Sequence, residues 1–245
     1  MIAGLVLFVG IVVVVAAYAA YRKAFYVSPD RAENLHALPP GEQFEEQAQR
    51  MHEMIDAIAR VPCERVTIHS RDGLRLTARY YPGEPGAPLD IEFHGYRSMA
   101  QRDFSGGIRI GRGLGHGVLL VDQRAHGQSE GRVITFGVKE RFDCLSWAEY
   151  AAKRFGPDTK IFLIGVSMGA ATVLMASNLP LPANVAGIIA DCPYSAPDRI
   201  IKKVCRDMGL PPALAYPFAA LGARLFGHFS PGDASALTAV RHARV

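Results

Sequence analysis

A serine stands between two glycines at Gly165-Val166-Ser167-Met168-Gly169, a G-x-S-x-G pattern. A strand-like apolar run, 160–164, leads into it, and the small, helix-compatible run Ala170-Ala-Thr-Val-Leu-Met-Ala-Ser leaves it. A seryl hydroxyl is a weak nucleophile, and it needs exposure on a sharp turn, a base to take its proton, and donors for the oxyanion it creates. A strand-to-helix turn supplies the exposure, and flanking glycines let the backbone close without a Cβ clash. The helix N-terminus adds unpaired N–H groups and the positive end of a dipole. The N–H of Met168 is therefore one oxyanion donor. A second is needed from another strand end, where His94-Gly95-Tyr96-Arg97 follows the run 88–93, and the backbone N–H of Tyr96 is assigned to that role. A Gly-Ser turn without chemistry is the plainer reading, and the strand–turn–helix context weighs against it.

A third motif, Asp122-Gln-Arg-Ala-His-Gly-Gln-Ser129, follows the run 117–122. With His94-Gly95 and Gly165–Gly169 it makes an ordered set, and the chain resembles an α/β-hydrolase of the serine aminopeptidase/esterase-like group. The resemblance spans residues 60–195. The stretch 122–141, with Ile134-Thr-Phe-Gly, and the segment Asp191-Cys-Pro-Tyr-Ser195 look like the Bem46-related, membrane-anchored bacterial branch. The resemblance implies a fold and a serine reaction class, with Ser167 attacking the carbonyl of a small-molecule ester or amide and no metal or organic cofactor implied, and it names no substrate.

Its chain order is nucleophile, then acid, then histidine. His94 and His126 precede Ser167, so both are expected to brace their turns by hydrogen bonds. Gly95, Asp122, Arg124 and Gly127 read as turn or ion-pair residues of the same motifs, as does Glu140. Asp191, at the end of the sixth strand-like run, is the one candidate acid, and a capping or turn-forming Asp before Pro193 is the plainer reading. His228 and His242 lie downstream, one in a loop after a helix and one almost at the last residue. Either would serve only if a helix folded back over the site. A catalytically inactive fold acting as a binding module is the alternative from another class.

The elements that must position these residues are readable as patterns. Residues 65–70 and 74–81, joined at Asp72-Gly73, form a hairpin signal. Runs 88–93, 117–122, 160–164 and 185–190 are short and apolar, as strands covered on both faces are. Helical stretches over 137–155 and 168–178 separate them, which predicts an α/β fold with a mostly parallel sheet between helical layers. Six strands are counted where the resemblance implies eight, so the acid- and histidine-bearing strands are expected to be missing and the chain to be cut short. The sixth strand would then be an apolar edge of the kind proteins usually protect. Residues 198–229 read as lid-like helices whose apolar content suits an acyl or lipid-like substrate, although core packing accounts for the same residues.

Residues 1–21 carry no charge, and about 20 apolar residues span a bilayer's hydrocarbon layer. Tyr18, Tyr21 and Tyr26 sit where an interfacial belt would be, followed by Arg22-Lys23. A cleaved signal peptide is opposed by the lack of Lys or Arg before the apolar run. The expected organisation is a single-pass anchor over 1–23, a linker and amphipathic helix over 24–62 (with Pro39-Pro40 and Gly41 before the helix at 42–61), and the hydrolase domain over 63–245. The two charges behind the anchor favour the cytoplasmic face for the domain. The 245-residue chain has 27 Lys and Arg against 23 Asp and Glu, too slight an excess for a nucleic-acid surface. Its four scattered cysteines show neither a zinc pattern nor a disulfide framework, and inert thiols are expected at Cys144 and Cys192.

Overall fold

A computed structural model describes residues 2–29, 34–38 and 41–245; Pro39-Pro40 lie outside them. Ten helices are described: α1 (Ile2–Ala24), α2 (Glu42–Glu45), α3 (Ala48–Ala59), α4 (Ala100–Asp103), α5 (Ser105–Gly113), α6 (Glu140–Phe155), α7 (Met168–Ala176), α8 (Pro197–Asp207), α9 (Pro212–Gly227) and α10 (Ala236–Val240). Six strands join in one sheet: β1 (Glu64–His69), β2 (Arg75–Tyr81), β3 (Leu89–Phe93), β4 (Gly117–Asp122), β5 (Ile161–Val166) and β6 (Val185–Asp191), in the order β1-β2-β4-β3-β5-β6.

The first two strands form the antiparallel hairpin that Asp72-Gly73 predicts, and β2 also runs antiparallel to β4. The remaining pairings are parallel. Register then gathers the chemistry at one end of the sheet. Phe93 pairs with both Val121 and Gly165, and Val166 pairs with Asp191. The segments that begin at His94, Asp122, Ser167 and Asp191 therefore leave the sheet side by side.

Period-2 alternation assigns the core. On β4, Leu119 and Val121 join Leu89, Ile91, Phe93, Leu163, Val173 and Trp147 in one cluster. Val118 and Leu120 point the other way, toward Ile58, Phe104 and Ile108. Burial on both faces explains why these strands read as continuous apolar runs rather than alternating ones. The far edge differs. β6 pairs with β5 alone among the described residues, and Ile189 on it is 56% exposed.

Two helical readings need correction. The single helix expected over 42–61 is two, α2 and α3, separated at Glu46-Gln47. Glu42, Glu45 and Glu46 crowd like charges at i,i+3 and i,i+4 within one turn, a pattern that destabilises a continuous helix. The pair α4–α5 had no sequence signal, because Gly106, Gly107, Gly111 and Gly113 dilute its periodicity. Two of those glycines are packing requirements. A Cβ on Gly107 would lie 3.0 Å from Glu92 Oε1, and one on Gly111 would lie 2.9 Å from Asp90 Oδ2.

α1 is long and apolar enough to cross a membrane by length and composition. Residues 2–12 are exposed, whereas Ala17 and Tyr21 are buried against α9. The approach is backbone to backbone, since a Cβ on Gly222 would fall 2.2 Å from the Ala17 carbonyl oxygen. The chain then continues through position 23 into the body of the domain. Phe25 is fully buried, Tyr26 bridges Val133, Val27 N–H donates to Arg132 O at 2.9 Å, and Ile134 N–H donates to Phe25 O at 2.9 Å. Tyr21, Phe25 and Val27 share a cluster with Met168 and Ala171 of α7.

Candidate active site

Ser167 occupies the β5–α7 turn at φ 54°, ψ −111°. A residue with a Cβ enters that region only when its surroundings impose it. The imposing contacts are visible. Ser167 N–H donates to Asp191 O at 2.9 Å, and Ala171 N–H donates to Ser167 O at 3.0 Å. The flanking glycines permit the closure. A Cβ on Gly165 would lie 2.3 Å from the Gly169 carbonyl carbon, and one on Gly169 would lie 1.8 Å from Phe93 O. The Ser167 side chain is half-buried, and among the described residues its Oγ makes no hydrogen bond. Met168 is the first residue of α7, so its N–H is one of the helix's unpaired donors.

The His94–Arg97 loop faces this turn. A Cβ built on Gly95 would stand 3.6 Å from Ser167 Cβ. Both histidines near the loop are committed on both ring nitrogens. His94 Nδ1 lies 2.8 Å from Gly95 O, and its Nε2 accepts the Gln123 N–H at 3.2 Å. His126 Nδ1 lies 2.9 Å from Arg124 O, and its Nε2 accepts the Arg97 N–H at 3.0 Å. Burial lowers the His94 pKa despite the nearby Asp103, which keeps the ring neutral. Gly95 N–H is taken by Asp103 Oδ2 at 2.8 Å, so it is already committed.

The third motif is scaffolding. Asp122 accepts from Arg79 Nη1 at 3.0 Å and from Gln128 N–H at 3.2 Å. Gly127, at φ 52°, passes so close that a Cβ would lie 2.5 Å from Asp122 Cγ. Arg124 donates through Nε and Nη2 to Asp143, both at 2.6 Å, and through Nη1 and Nη2 to Asp72 at 3.0 and 3.1 Å. Partial burial would raise the Asp72 pKa, but the hydrogen bonds from Arg124 and Ser70 outweigh it and hold the carboxyl at about 2. Buried Glu140 accepts from Thr135 N–H at 2.7 Å, from Gly137 N–H at 2.8 Å, and from the Thr135 hydroxyl. Cys144 is buried, and burial pushes its thiol pKa up, away from reactivity.

Asp191 closes β6, and its side chain is exposed while its carbonyl holds Ser167. His228 is the exposed, left-handed cap of α9, and His242 is exposed beyond α10. No hydrogen bond among the described residues joins Ser167, Asp191, His228 and His242 into a relay. Nor does any group of three or more His, Cys, Asp or Glu among the described residues form a metal site.

Ser167 opens on a cavity of about 860 Å³. Tyr96, Phe136 and Tyr194 line it, as do Ile200 and Val204 of α8. Ala215 and Ala219 of α9 form a small-residue wall, and so do Ala20 and Ala24 of α1. Helices α8 and α9 stand where the sequence predicts helical segments, and the contribution of α1 to the lining was missed. The signal was present as Ala17, Ala20 and Ala24, small residues at helical spacing beneath an aromatic belt. A groove of about 800 Å³ between α3 and α5 contains neither a serine motif nor a strand end.

Residues 85–244 match the alpha/beta hydrolase family. The chain belongs to that family. Among solved structures, this α/β hydrolase is similar to the Pyrococcus furiosus esterase Pf2001, with a TM-score of 0.57 and 22% identity, covering 79% of this chain and 69% of the esterase. Among curated proteins it is similar to the thiohydrolase aneE of Aspergillus aculeatus, 29% identical over 167 residues, which are 65% of this chain and 50% of that one. It is also similar to the uncharacterized protein YqkD of Bacillus subtilis, 28% identical over 128 residues, 52% of this chain and 42% of that one. The chain thus spans about half the length of the curated relatives it matches.

Proposed function

We propose that this α/β hydrolase is a membrane-tethered serine hydrolase of the Bem46-related branch that cleaves apolar acyl esters or thioesters. The carrying observation is Ser167, held at φ 54° on the β5–α7 turn at the mouth of an apolar cavity. Its Oγ would attack the acyl carbonyl carbon while its proton passes to a base. The tetrahedral oxyanion would be held by the N–H groups of Tyr96 and Met168. Collapse would expel the alcohol or thiol and leave an acyl-serine, which water would hydrolyse. The cavity lining and the names of the esterase and thiohydrolase relatives support this substrate class.

The exposed edge of β6 supports a second element of the proposal, that the acid and base come from strands pairing beyond Ile189, with Asp191 as the acid candidate within these residues. The exposed apolar surface of residues 2–12 supports α1 as the tether, and Arg22-Lys23 at its end favour the cytoplasmic face for the domain. That no histidine among the described residues is hydrogen-bonded to Ser167 favours a second reading, a non-catalytic module on the same fold. Hydrolysis of long-chain p-nitrophenyl esters by the full protein in membranes separates the two. The enzyme reading predicts turnover that Ser167→Ala abolishes, and turnover that survives Ser167→Ala refutes it.

A further inference from the structure

The last turn of α1 ends against the oxyanion loop. A helix leaves its final carbonyls without intrahelical donors, and side chains or water must satisfy them. Here the loop 94–97 does so. Tyr96 Oη–H donates to Ala24 O at 2.8 Å, and Arg97 Nη2 donates to Lys23 O and Tyr26 O, both at 2.9 Å. The guanidinium also meets the negative end of the helix dipole. On the other side of the loop, His126 Nε2 accepts Arg97 N–H and Asp103 accepts Gly95 N–H. Arg97 itself sits at φ 50°, a left-handed conformation that these contacts hold. The Tyr96 ring stacks on Phe136 at 5.0 Å, and Phe25, just past α1, packs edge-on against the same Phe136 at 5.8 Å.

We infer that the last turn of α1 is a working part of the acyl site as well as a tether. The side chains of Tyr96 and Arg97 are positioning residues: by gripping the terminal carbonyls of α1 they fix the Tyr96 N–H over Ser167. The inference rests on Ser167 being the nucleophile. It also makes catalysis depend on how α1 is seated, because the donor's position is set from a helix whose other end is apolar and exposed.

The test uses the full protein in detergent micelles, with Tyr96→Phe, which keeps the ring and removes only the hydroxyl, and Arg97→Gln. Backbone hydrogen exchange in the 94–98 loop is expected to speed up about tenfold while β3 stays protected. Fluorophosphonate labelling of Ser167 is expected to slow about tenfold to a hundredfold, the scale of a catalytic group displaced by about 1 Å. Thermal midpoints should stay within a few degrees, and Arg97→Lys should recover part of the rate. Unchanged loop exchange overturns the inference, and so does unchanged labelling in a protein whose wild type labels. A wild type that never labels refutes the nucleophile reading alone, and loop exchange still decides whether α1 braces the loop.

Discussion

Asp191 holds Ser167 through its backbone: the carbonyl oxygen of the last β6 residue accepts the Ser167 N–H at 2.9 Å. The Ser167 turn is thereby tied to the edge strand of the sheet. With Gly169 pressed against Phe93 O on the opposite side, the turn is fixed between two strand ends. Its strained φ is a property of the fold that the serine has to accept.

That arrangement predicts opposite outcomes for two substitutions of similar size. Gly169→Ala would drive a Cβ into a carbonyl at 1.8 Å and should destabilise the domain by about 3 kcal/mol or more. Ser167→Gly relieves a non-glycine residue at φ 54° and should stabilise it by about 1 kcal/mol while removing the proposed nucleophile. Denaturant melts of the two variants check both signs.

A pH prediction attaches to β3. Glu92 is buried, and among the described residues its Oε2 has no partner. Burial and then neighbouring Asp90 push its pKa well above the usual carboxylate range, while Asp90 is itself paired with His116. The folded state therefore holds the Glu92 proton more tightly than the unfolded chain does. That contribution is complete below the unfolded pKa of about 4.3 and is lost as pH rises through the folded value. Glu92→Gln removes the titration. Its thermal midpoint should exceed the wild type's at pH 8, by about 2–4 °C for each kcal/mol in a domain of this size, and the gap should shrink by pH 5.

Cavity shape gives a prediction on specificity. Ala20 of α1 lines the cavity together with the α9 alanines. Ala20→Phe should raise KM for long acyl chains about tenfold and leave short-chain esters nearly unchanged. A parallel loss on both chain lengths would mean that the wall does not contact the acyl group.

These sites show unevenly in the amino-acid order. The hairpin, the double-faced strands and the Gly165–Gly169 turn were legible because each rests on local spacing: period two, a turn dipeptide, two glycines around a serine. Chain order ahead of Ser167 led to the expectation that His94 and His126 brace their turns, and each ring nitrogen of both has a hydrogen-bond contact. What escaped were relationships between distant segments. α5 hid behind the glycines that Asp90 and Glu92 require, and α3 was run together with α2 across like-charged Glu42, Glu45 and Glu46. The grip of Tyr96 and Arg97 on Lys23, Ala24 and Tyr26 joins positions more than 70 apart in sequence, a distance no local pattern reports.

The central claim is that Ser167 is a nucleophile, and covalent capture tests it most directly. The protein, expressed from its own gene, is treated in whole-cell lysate with a fluorophosphonate, digested with trypsin and mapped by mass spectrometry. The phosphonyl adduct is predicted on Ser167, within the tryptic peptide 161–199, and should be absent after Ser167→Ala. A folded protein that takes up no probe, or takes it up equally with alanine at 167, would contradict the account.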